Sequence, residues 1–214
     1  MTASHTLAAS GPEQLVFDLV ELLRYPVLAG VVVALALALY EAGILAMELH
    51  RRRGRTHGLI DELVPRAREV LKGGDRGQAA NVLRPIARGA DASEALRAIV
   101  ESAGTPTAEP RAAKALADLD LRAMRRLERP RMLVRTGPAL GLMGTLIPLS
   151  PALAGLASGD VQRLSDDLRA AFAVTVLGLL TGAVAYGVAL VRDRLYAQDL
   201  SDLEFVAATI EERA

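Results

Sequence analysis

The side chains able to do chemistry in the apolar stretches of this sequence are few. Thr145, Ser150, Thr175 and Thr181 carry hydroxyls, and Glu41 is the one ionisable residue clearly inside a stretch. A hydroxyl attacks a substrate only when a neighbouring base takes its proton. No His, Lys or Asp stands within these stretches to do so, which argues against an intramembrane enzyme. The chain has no cysteine, so thiolate nucleophiles and sulfur-ligated metals are absent, and His5, His50 and His57 form no HxxxH-type pair. No metal and no cofactor is expected. What remains for these hydroxyls is hydrogen bonding, either back to their own helix or to water or a polar partner.

Three blocks hold these groups: Pro26 to Met47, Gly137 to Ala157 and Ala170 to Val191. Each is near the twenty residues that cross ~30 Å of hydrocarbon, and none shows the polar face of a soluble helix. The sequence therefore predicts an all-α membrane protein with three transmembrane helices. The first block is not expected to be a typical signal peptide, because it starts late, follows an acidic stretch and is followed by HRRRGR rather than a small-residue cleavage site. Charges cancel at 25 against 25 over 214 residues, so nothing points to nucleic acid, and the partner surface is lipid.

Excess arginine marks the cytoplasmic flanks of membrane helices. Arg51, Arg52, Arg53 and Arg55 follow the first block, six arginines from Arg122 to Arg135 precede the second, and Arg192 and Arg194 follow the third. The N-terminus is thus expected outside and the C-terminus in the cytoplasm. The predicted order is an extracytoplasmic segment 1–25, spans at 26–47, 136–157 and 170–191, a cytoplasmic helical region 48–135, an outer hairpin 158–169 and a cytoplasmic C-terminal helix 192–214. Helical spacing in the inner region is broken at Gly73-Gly74 and at Gly104 to Pro110. The run from Pro110 leads into span two as one rod, and the run after span three is the matching outgoing helix.

At alternating steps of four and three, span two presents Gly137, Gly141, Gly144, Pro148, Pro151 and Gly155. Span three presents Ala171, Thr175, Gly178, Gly182, Ala185 and Ala189. Small residues let helix backbones approach closely in lipid. Two such stripes exceed what one hairpin contact needs, so the surplus is expected between subunits or around a central space. Pro148 and Pro151 cannot donate to the carbonyls of Gly144 and Ile147, which leaves acceptors needing a hydroxyl, a water or a neighbour. Thr181 lies about 120° from Thr175 around the helix and off the stripe. Glu41, about 9 Å from Met47, is expected to snorkel to the inner headgroups.

GPALGLMGTLIPL and AVTVLGLLTGAVAYGVAL resemble the two signature segments of the MotA/TolQ/ExbB family of proton-channel subunits, and LRAMRRLERPRMLVRTGP resembles that family's incoming helix. The resemblance covers roughly residues 120 to 195. It implies a pentameric ring in the bacterial inner membrane, and a single-span partner of ExbD/TolR/MotB type that brings a protonatable Asp. Proton flow would then drive mechanical work or transport. It places Thr145 and Thr175 on the ion pathway, and makes Gly141, Gly144, Pro148, Gly178 and Gly182 the packing and kink positions of the pore helices. Two residues depart from the family pattern: Ala170 stands where transport-type members carry Glu, and Pro148 where the signature has Gly. Two alternatives remain, a non-conducting membrane scaffold of the same fold and a flagellar-type stator subunit.

Overall fold

The computed structural model describes residues 11–52, 58–157 and 159–211, and every regular element among them is an α-helix. These are α1 (Gly11–Leu22), α2 (Arg24–Arg52), α3 (Leu59–Lys72), α4 (Arg76–Leu83), α5 (Ala90–Ser102), α6 (Ala108–Ala157) and α7 (Val161–Glu211). His5, Arg53, Arg55 and His57 lie outside the described residues. The chain forms two compact units, one from Met1–Ala42 with Arg131–Tyr186, the other from Gly43–Pro130 with Gly187–Ala214. The three long helices α2, α6 and α7 are those long and apolar enough to cross a membrane.

In the first unit, α2 lies against α6 and α7 through small residues. Ala34 and Ala38 pack with Leu133 and Ala185, and Leu140 comes within ordinary contact of Gly30. The larger apolar side chains point away from this core. Leu37, Leu146, Phe172 and Leu179 are all more than 45% exposed, as suits helices meeting lipid or other helices. The incoming rod and span two are one helix, because α6 continues through Pro130, Pro138, Pro148 and Pro151.

Two stretches are more helical than their composition suggested. The N-terminal segment contains α1, whose Leu15, Val16, Leu19 and Leu22 form an exposed apolar face. Their spacing is that of an amphipathic helix, overlooked beside the stronger block that follows. The segment read as an outer hairpin at 158–169 is helical from Val161, and the chain reverses at Gly159, whose φ of +81° favours glycine.

The second unit has its own core. Gly74, at φ +84°, turns the chain out of α3, and the Asp75 carboxylate caps α4 by accepting from the Gln78 N–H at 2.8 Å. Leu83, Leu96 and Val100 of α4 and α5 are buried with Leu203, Val206 and Ile210 of α7. The outgoing helix therefore does more than cover the incoming one, since it completes a core shared with the loop helices. Arg192 and Asp199 lie on the same stripe as Leu203 and Val206 and are buried too. Arg52 donates to both Asp199 oxygens at 3.0 and 2.8 Å and to Glu48 Oε1 at 2.8 Å. Burial pushes the Asp199 carboxyl above the ordinary carboxylate range, while the Arg52 guanidinium pulls the other way.

A buried ion pair costs most when one member is removed and the other is left unpaired. Arg52→Met takes both hydrogen bonds from the buried Asp199 carboxylate and is expected to destabilise the full-length protein by about 3–5 kcal/mol, whereas Arg52→Met with Asp199→Leu lies much nearer wild type. Thermal unfolding in detergent checks this. Equal losses in both variants would show that side-chain volume, rather than the orphaned carboxylate, sets the cost.

Candidate functional site

The site expected on the long helices is the hairpin of α6 and α7 in the first unit. Its backbones meet at glycines. A methyl group on Gly178 would lie 2.7 Å from both the Gly137 carbonyl oxygen and the Gly141 Cα. One on Gly137 would lie 2.9 Å from the Gly178 oxygen, and one on Gly182 would lie 2.8 Å from Pro138 Cγ. A methyl on Gly144 would collide with the Val174 side chain. All of these are well inside the ~3.5–4.0 Å of carbon–carbon contact.

The two stripes of small residues therefore face each other within one chain. The expectation that they exceed a single hairpin contact is corrected along Gly137, Gly141 and Gly144 and along Thr175, Gly178 and Gly182. The hairpin uses both stripes there because a glycine on one helix or both lets the backbones meet. Thr181 also belongs to this seam, although the four-and-three stepping put it off the stripe. It is fully buried, and its Cγ2 lies 3.0 Å from the position of a Gly137 methyl. A stripe drawn one residue wide misses it.

The hydroxyls sit as follows. Thr145 is partly exposed and donates to the Leu142 carbonyl of its own helix at 2.7 Å. Thr175 Oγ1 lies 3.2 Å from the Ala171 carbonyl and 3.4 Å from the Gly141 carbonyl across the seam, within reach of both helices. Thr181 donates to Leu177 O at 2.8 Å. Each hydroxyl is thus satisfied locally, as membrane threonines commonly are. The side chain of Ser150 lies outside the described residues. The contact of Gly144 with Val174 sets Thr145 and Thr175 one residue beyond it on opposite helices. They stand within about 3 Å of the same level at 1.5 Å per residue, Thr145 on the open side and Thr175 in the seam.

Glu41 does not snorkel. It is buried at 7% exposure and takes part in an interaction within the chain, because the small residues beside it on α2 let α2 pack closely. Pro148 is buried and, with Ala170, lines a small cavity on the hairpin. Arg24 of α2 donates to Asp167 of α7 at 3.3 Å near that cavity. Nothing in the sequence pairs these two charges, which stand 143 residues apart. Among the described residues no group of His, Cys, Asp or Glu is arranged to hold a metal.

A family model described as the MotA/TolQ/ExbB proton channel family matches residues 85–204, more than half of the chain, and the chain belongs to that family. No curated protein matches it. The matched region contains the whole glycine seam and both threonines. The seam is expected to tolerate no added carbon where only backbone is near. Gly178→Ala should destabilise the protein by about 1–3 kcal/mol through forced separation of the helices, while Gly30→Ala, with Leu140 3.6 Å away, should be neutral. Unfolding of the purified variants by detergent titration distinguishes them, and equal stability would contradict the close approach.

Proposed function

We propose, from the premise of this family membership, that the chain is a multi-pass membrane subunit of an ion-driven motor rather than an enzyme. Identical copies, five in the family's arrangement, enclose a passage bounded by α6 and α7. A single-span partner stands in that passage and supplies the protonatable Asp. The observation that carries the reading is the hairpin itself. It is closed by glycines, holds no Asp, Glu, Lys, Arg or His between Gly137 and Ala157 or between Ala170 and Val191, and sets Thr145 and Thr175 at one level.

The chemistry asked of the chain is small. A carboxylic acid that gains and loses a proton in hydrocarbon needs hydrogen-bonding groups in both states, because an unserved polar group there costs several kcal/mol. Thr145 can exchange its bond to Leu142 O for one to the partner's carboxyl or to its water. Thr175, placed between the Ala171 and Gly141 carbonyls, serves as a second hydroxyl that a small rotation of its side chain frees. The charged form of the acid arrives with the partner, which accounts for its absence from spans two and three. The flanking arginines support a cytoplasmic C-terminus and an inner-membrane location.

Ala170 favours a second reading, a scaffold of the same shape that conducts nothing, because a carboxylate common in transport-type members is missing there. Proton flux into vesicles separates the two. The chain reconstituted with the single-span protein encoded beside its gene is expected to conduct, and the chain alone is not. Losing a hydrogen bond to a charged group is worth about 1.5–3 kcal/mol, so Thr145→Ala with Thr175→Ala should cut flux roughly tenfold or more without loss of assembly. Undiminished flux in the double variant would contradict the assigned roles, and no flux in the wild-type pair would favour the scaffold.

A further inference from the structure

The cavity beside Pro148 has a volume of about 30 Å³ and is lined by Arg24 of α2, Gly144, Ile147 and Pro148 of α6, and Ala170 and Val174 of α7, among others. Room for one water begins at roughly 10–15 Å³, so one or two waters fit. Volume alone does not fill a cavity with water, because a space without polar partners stays dry. Here the partners are unusual. A helical carbonyl ordinarily accepts from the N–H four residues on, and proline has none. Pro148 removes the donor for Gly144 O, and Pro151 removes the donor for Ile147 O. Both residues with a vacated acceptor line the same cavity.

The third polar group is Arg24, the charged residue in the lining among the described residues. Its Nη2 donates to Asp167 Oδ1 at 3.3 Å, and the two side chains are 38% and 13% exposed. Arg24 reaches solvent while the carboxylate is shielded. Asp167 lies one helical turn before Ala170 and Ala171, so the ion pair sits where the cavity would meet the outside. A paired Arg and Asp present little net charge to a passing cation, and either can rotate away without unfolding a helix. Alanine at 170 and 171 keeps the space open, whereas a longer side chain would occupy it.

We infer that this cavity is a hydrated site reached from the outer side through the Arg24–Asp167 pair, and that it forms the outermost step of the ion route. The inference rests on the functional reading above for the purpose of the water, and on the orientation read from the flanking arginines. It assigns Arg24 and Asp167 as positioning residues of the outer mouth.

The chain has no cysteine, so Ala170→Cys introduces a single thiol. In the full-length protein in intact cells, a membrane-impermeant thiosulfonate added outside is expected to modify it. Arg24→Ala or Asp167→Asn should speed that modification several-fold, because either loosens the mouth. Ala171→Cys serves as a second probe should the first variant fail to assemble. A thiol that reacts after detergent denaturation but not in cells overturns the hydrated cavity. Reaction only from the cytoplasmic side overturns the outer mouth. The labelling does not depend on conduction. Proton flux is therefore measured separately in Arg24→Ala paired with its partner, and flux unchanged there, with wild type conducting, would remove the cavity from the ion route. A wild type that is labelled from outside yet carries no flux would sink the functional reading itself.

Discussion

The structure of the membrane unit depends on backbone meeting backbone at Gly137, Gly141, Gly178 and Gly182. In lipid there is no solvent to squeeze apolar helices together, so association rests on close packing and on polar groups finding partners. Glycine offers the closest packing available, at the entropic cost that makes it a poor helix former in water. The contact also fixes register. Once Gly141 lies against Gly178, Gly144 must meet Val174, and the heights of Thr145, Thr175, Pro148 and Ala170 follow. A side chain on any of the four glycines would shift all of these together.

The two units solve the problem of polar groups differently. In the first unit the threonine hydroxyls bond to carbonyls of the helices themselves, Arg24 pairs with Asp167, and Glu41 is buried. In the second unit charges are buried outright. Arg52 is served by Asp199 and Glu48, and Arg88 lies 3.7 Å from Asp202. Such a cluster is a weak source of net stability, but it makes the geometry of its members demanding, since each partner that moves leaves another exposed to a low dielectric.

Much of this was legible from the residues. Long uncharged blocks gave the three membrane helices, because few alternatives bury that much apolar surface without a polar face. Gly73-Gly74 marks the end of α3 through its backbone conformation, whereas the Asp75 cap of α4 is seen only in the structure. The glycine stripes were visible as stripes, but which surface they meet was not. A small residue says that something comes close, not whether it belongs to the same chain. Thr181 was misplaced by a stepping rule narrower than a real helix face. Asp199 and Arg192 are legible in principle, since a charge on an otherwise apolar stripe announces a buried pair, yet Arg52, which pairs with Asp199, and Glu48, which faces Arg192, each stand more than a hundred residues away. Glu41 was read from its depth along the helix alone, which ignores the neighbours that bury it.

The proposed ion path requires the Thr145 side of the glycine-closed hairpin to face a space shared with an acidic partner helix. Cross-linking in native membranes measures this most directly, with Thr145→Cys in the cysteine-free chain and a second cysteine beside the membrane Asp of the single-span protein encoded next to it. A disulfide between the two chains is expected on mild oxidation, formed less readily from Phe172→Cys among the exposed apolar side chains of α7. Efficient cross-linking from Phe172→Cys with none from Thr145→Cys would contradict it.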